Sequence, residues 1–303
     1  MPIKPGTVHF EFGNHATEDE ARQKLRSHLS GSDVPDHIII ETPPSDFKLR
    51  TEAESIRDAR DTEEFNRKVA AQLSQGENPY TKAYQKTSPY NYKRASLIAS
   101  ANNPNARVNV HIEPFNENIV RQTSQIAILY RVVAKHVAGG NVGSAFAASK
   151  EASEKLADAN HAREQGIVGI IEGILQREPR AKILCEMGGA HDHLVEVLKA
   201  RGIEATFRKT SVQLTHKHLH VEKLLLLAKH GLEQPTQGQI EQVSRRGFVI
   251  SLLKLGNFSQ DQADRAAERL TAAELNELYA SLEAPGGNLS KRARQWLTDR
   301  KKL

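Results

Sequence analysis

Two stretches of the chain carry the same punctuation: an apolar run stops, glycine follows, and a histidine arrives before helical sequence. The first is Val8 to Glu41, "VHFEFGNHATEDEARQKLRSHLSGSDVPDHIIIE", which reads as strand, amphipathic helix, strand. Two strands joined by a helix run parallel and bring their carboxyl ends to one edge of a sheet, where open α/β folds build their sites. The second is "AKILCEMGGAHDHLVEVLKARG", followed by the strand-like "IEATFRKTS", another strand-helix-strand unit. The fold class expected is therefore α/β, a central and mostly parallel sheet, with His15, Glu41 and His191 delivered to one edge.

Between the two units the pattern changes. Pro43 and Pro44 end the second run, and residues 43–105 are polar with helical stretches, an insertion rather than sheet. "ARVNVHIEPFN" alternates strictly, with Val108, Val110 and Ile112 on one face and Asn109, His111 and Glu113 on the other, and predicts a strand stopped by Pro114. Long helical sequence follows, broken at Gly139, Gly140 and Gly143, each of which would cost a helix interior about 1 kcal/mol. Beyond Ser211 the chain reads as helices only, with Gly231 closing one and Ser259 and Thr271 opening others. This gives an α/β domain over 1–212 containing the insertion, and a C-terminal helical region over 213–303.

Composition narrows the functional classes. A single cysteine, Cys185, excludes an internal disulfide framework and a thiolate zinc cluster; inside an apolar strand it reads as a buried, inert thiol. No apolar run approaches the roughly 18 residues of a membrane span, and the N-terminus lacks an export leader, so a cytoplasmic protein without a membrane partner is expected. Lys and Arg number 42 against 37 Asp and Glu. That excess permits an acidic ligand or nucleic acid, but the basic clusters "RQKLR", "KRAR" and "DRKKL" read first as solvated faces.

A histidine at a strand's carboxyl end can bind a metal through a neutral nitrogen or act as a base near neutral pH. Glu41 can complete either arrangement, as anionic ligand or as the group orienting an imidazole or water. Gly13, Gly188 and Gly189 are expected to let the backbone turn sharply beside His15 and His191. Arg163 and Glu164, in "NHAREQGIVGIIEGIL", read as the opening of the helix before Ile183. An arginine there can clamp an oxyanion or carboxylate, or simply be solvated. Glu113 reaches the same edge if its strand is parallel, or else lies on an outward-facing solvated edge. Asp192 reads as the N-cap of the next helix, with His193 in its first turn.

Two further clusters stand apart. His216, His218 and His220 in "LTHKHLHVEK" share a face on a strand, or His216 and His220 on a helix; they read as a metal site or as a solvated helix start. From Tyr80 to Arg94, four tyrosines are interleaved with four cationic residues, suiting a cap over a flat ligand or a loop packed on the sheet.

Taken in order, the Gly/His strand end, the run "PDHIIIE", the pair in "ARE" and the Gly188 to His191 turn resemble the TraB/TIKI/ChaN/erythromycin-esterase-like superfamily. The resemblance covers mainly residues 7–42 and 158–208, and its first motif is one residue shorter here. It implies an α/β core with the insertion lying over the site, and functional positions at His15, Glu41, Arg163 and His191. It implies a hydrolase of esters or peptides, in which His15, Glu41 and His191 hold a divalent metal or work without one as base and orienting groups, or a haem-binding protein; a mixed nitrogen and oxygen shell would suit zinc, manganese or cobalt. A small molecule or peptide is the partner on the first reading. A basic adaptor for protein or nucleic acid is a third reading.

Overall fold

The computed structural model describes residues 5–12, 34–40, 64, 67–68, 108–112, 117–209, 218–284 and 286–303. Among the described residues there are five strands: β1 (Val8–Phe12), β2 (His37–Ile40), β3 (Asn109–Ile112), β4 (Ile183–Met187) and β5 (Ala205–Lys209). They form one sheet in the order β3-β2-β4-β1-β5, and every neighbouring pair is parallel. β1, β2 and β4 are buried along their whole length, which is why each reads as an apolar run: parallel strands are covered on both faces. Cys185, midway along β4, is buried, and that burial pushes its thiol pKa up, away from reactivity.

Eight helices accompany the sheet among the described residues. α1 (Glu117–Ala138) and α2 (Val142–Arg177) precede β4, and α3 (Leu194–Ala200) joins β4 to β5. Then come α4 (Val221–Lys229), α5 (Gln237–Leu255), α6 (Gln260–Glu268), α7 (Ala272–Glu283) and α8 (Leu289–Asp299). Ser259 and Thr271 open α6 and α7 with capping boxes, each accepting from the N–H three residues on while Gln262 or Glu274 reaches back. None of these helices is long and apolar enough to cross a membrane. Of the 43–105 segment only Glu64, Arg67 and Lys68 are described, all helical; its placement over a site lies outside the described residues.

The chain divides into two compact units, Met1–Val120 with Arg163–Val212, and Arg121–Ala162 with Gln213–Leu303. Residues 121–162 belong with the C-terminal helices. The reason is packing: Val133, Val137, Val142, Ala145 and Ala148 from α1 and α2 share a core with Phe248, Leu252, Leu253, Leu278 and Leu297. Phe146 packs edge-on against Phe248 and Tyr279, at 5.7 and 5.3 Å between centroids.

The glycine break falls between α1 and α2. Gly140 has φ +73°, and a Cβ there would lie 2.7 Å from the carbonyl oxygen of Gly287. Gly143 instead lies inside α2, where an added Cβ meets nothing within 4 Å. Gly140→Ala is therefore expected to destabilise the helical unit by about 2 kcal/mol, from the left-handed backbone and the displaced carbonyl together. Gly143→Ala, a change inside a helix with open space around it, should be neutral or stabilising in the same urea titration.

Candidate functional site

The sheet order creates a switch point between β1 and β4. The connection leaving β1 leads across β4 to β2, while the one leaving β4 leads across β1 to β5, so adjacent strands send the chain in opposite directions. Open α/β sheets bind ligands in the crevice this produces at the carboxyl ends. β1 stops at Phe12, β2 at Ile40 and β4 at Met187, all at one edge. His15 and Glu41, expected beside those ends, lie outside the described residues, as do Glu113, His216 and the stretch from Tyr80 to Arg94.

Beyond β4 the chain enters a single 3-10 turn, Gly189–His191, closed by the His191 N–H donating to the Gly188 carbonyl at 3.1 Å. The glycines act differently from expectation. Gly188 has φ −65° and ψ 155°, which any residue can adopt, and Gly189 is buried without a left-handed backbone. Asp192 is not the N-cap of α3; it ends the 3-10 turn, and His193 occupies the cap position without a side-chain cap bond. The imidazole of His193 is engaged elsewhere.

Its partner is Glu164. The His191 imidazole donates from Nδ1 to Glu164 Oε1 at 2.6 Å, and His193 donates from Nε2 to Glu164 Oε2 at 2.8 Å. Glu164 is 0% exposed, and the two histidine side chains are 2% exposed each. A buried carboxylate is tolerable only when its oxygens are satisfied, and here each oxygen has its own imidazole.

Arg163 and Glu164 do not open a helix; they lie in the interior of α2, and Arg163 is likewise buried. Glu164 continues the buried stripe of that helix formed by Ala157, Ile167, Val168, Ile171 and Ile174. α3 is held to the same helix by Arg201, whose guanidinium donates to Glu172 at 2.9 Å and to Gln165 at 3.2 Å. Gly202 ends α3 with φ +77°, its N–H on the Lys199 carbonyl and that of Ile203 on Leu198, and turns the chain into β5.

Of the sequence-predicted residues, then, the described structure places His191 against Glu164 and Arg163 beside Glu164 in the chain. Glu164 and His193 were not singled out. By type they are a carboxylate and an imidazole, residues able to ligate a metal ion. His111, on the polar face of β3, has its Nε2 2.9 Å from His37 Nδ1, with the rings 5.2 Å apart. His37 opens β2, at the far end of that strand from Glu41, and its Nε2 lies 3.2 Å from Glu178 Oε2.

His218 and His220 belong to the helical unit. His218 is half exposed near Glu268, and His220 caps α4 between two carboxylates. Compared with known protein families, curated proteins and solved structures, this chain matches none.

Proposed function

We propose that this chain is a hydrolase that directs an activated water at the carbonyl carbon of an ester or peptide bond. The observation that carries the reading is Glu164, a fully buried carboxylate with one imidazole on each oxygen. With Nδ1 of His191 held by Glu164, its imidazole is the group that would take the proton of the attacking water. Glu164 fixes the ring and favours the imidazolium formed when the water's proton is taken. Arg163 supplies a permanent positive charge for the oxyanion or the substrate's acid group.

The same donor set suits zinc, manganese or cobalt, since an imidazole backed by a carboxylate is a common metal ligand. On the resemblance His15, Glu41 and His191 are the residues that would hold it, and Glu164 and His193 add a carboxylate and an imidazole able to ligate. Such an ion would supply a bound water of lowered pKa. The resemblance to the TraB/TIKI/ChaN/erythromycin-esterase-like superfamily supports this reading, and the buried single thiol accords with a cytoplasmic setting.

The test is hydrolysis of p-nitrophenyl esters and of a peptide library by the full chain and by His191→Ala. A loss of about 10²- to 10⁴-fold in turnover is expected from removing a general base, with circular dichroism unchanged. Equal rates for the two proteins would end the proposal. Chelation before the assay separates the metal-dependent version from the metal-free one.

A further inference from the structure

Within the helical unit, α1, α2, α4, α5 and α6 enclose a cavity of about 470 Å3, in the size range of small-molecule sites. Four charged side chains line it. His220 lies with Nδ1 3.4 Å from Glu222 Oε1 and Nε2 3.2 Å from Asp264 Oδ1. Gln260 donates to the same Asp264 oxygen at 2.7 Å. The fourth charge is Lys254, which makes no ion pair among the described residues.

The charge states follow from these contacts. Burial alone would lower the pKa of His220, but its hydrogen bonds to Asp264 and Glu222, and their charges, outweigh burial and hold it up at about 9. Burial would raise the Asp264 pKa. The hydrogen bond and charge of His220, the Gln260 amide and the Lys254 charge more than reverse that and keep it below the usual range. At neutral pH His220 is thus a cation and Asp264 an anion, beside the Lys254 and Glu222 side chains.

This balance discriminates between ligands. Both nitrogens of His220 face carboxylates, so it offers no lone pair to a metal. A polyanion meets one free cation and two carboxylates, and a wholly apolar molecule would leave four charges desolvated. What remains available is complementary: the Lys254 ammonium, and Glu222 Oε2 and Asp264 Oδ2, which make no hydrogen bond among the described residues. Val133, Ile250 and Leu255 supply apolar wall. Tyr130 and Leu255, each 45% exposed, are lining residues that still face water, as an apolar entrance does.

We infer that this cavity is a binding site for a small zwitterion with an aliphatic body, of the size of a short peptide. Lys254 receives the carboxylate end, Glu222 and Asp264 the ammonium end, and the apolar wall the side chains. The site is independent of the hydrolase reading, since it uses none of its residues.

Calorimetric titration of the full chain with leucyl-leucine tests it. N-acetyl-leucyl-leucine lacks the ammonium and leucyl-leucinamide lacks the carboxylate; each is expected to bind about tenfold more weakly or worse. Lys254→Met should weaken leucyl-leucine by a similar factor and leave leucyl-leucinamide unchanged. Gly247→Leu should abolish binding by filling the cavity: Gly247 lines it, and an added Cβ there meets only the Leu219 carbonyl oxygen at 3.5 Å. The inference is overturned by absence of binding at about 10 mM leucyl-leucine, a concentration that would detect even millimolar affinity. It is equally overturned by equal affinity for the three probes, or by binding that survives Gly247→Leu.

Discussion

Glu164→Ala is expected to cost the α/β unit about 3–5 kcal/mol, the range for removing one partner of a buried ion-paired or hydrogen-bonded charge group. The substitution leaves the His191 and His193 donors, both nearly inaccessible to water, without their acceptor, and opens a void in the buried stripe of α2. Glu164→Gln should cost less, about 1–3 kcal/mol. An amide oxygen can still accept from His191, and its NH2 can donate to His193 if that ring changes tautomer. Urea denaturation followed by far-ultraviolet circular dichroism measures both. A Glu164→Ala protein within about 0.5 kcal/mol of the parent would mean that the carboxylate does not hold the two rings.

The helical unit should lose stability as pH rises. A histidine pKa lifted from 6.5 to about 9 by Asp264 and Glu222, against the opposing effect of burial, corresponds to about 3 kcal/mol. Below about pH 6.5 His220 is protonated folded or unfolded, and the whole contribution is present. Between 6.5 and 9 only the folded form holds the proton, so stability declines, and above about 9 the contribution is gone. Trp296 is the single tryptophan and lies in this unit's core, so its fluorescence reports the right transition. Urea midpoints for the parent should fall between pH 6 and pH 10, and those of His220→Gln should stay flatter. Parallel curves for the two proteins would show that the two carboxylates do not hold the proton.

Much of the fold was legible because buried parallel strands announce themselves. "VHFEF", "HIII" and "ILCEM" are short apolar runs with turn residues beyond them, and the capped helices after Val221 carry their Ser, Thr and Gly signals in the local sequence. Strand order was not legible, since nothing local to β4 says that it inserts between β2 and β1. The site was half legible. His191 follows a strand end, a position that points to chemistry by itself. Glu164 lies 27 and 29 residues from its two partners, and beside Arg163 it passed for a solvated residue at a helix start. The signal that could have found it is the helical period: Glu164 falls on the same stripe as Ile167, Val168, Ile171 and Ile174, and a carboxylate in register with an isoleucine face is rarely there for solubility.

The sheet order also has a consequence for how the chain assembles. β1 touches neither β2 nor β3, and the strand that bridges them is more than 140 residues downstream of β2. A nascent chain that has emerged only as far as β3 can pair two of its strands and must leave β1 waiting. The central seam zips shut only after α2 and β4 have been made. Synthesis halted before residue 183 should therefore yield a protease-sensitive fragment rather than a smaller native core, and refolding from denaturant should be slow, governed by the search for that one late insertion.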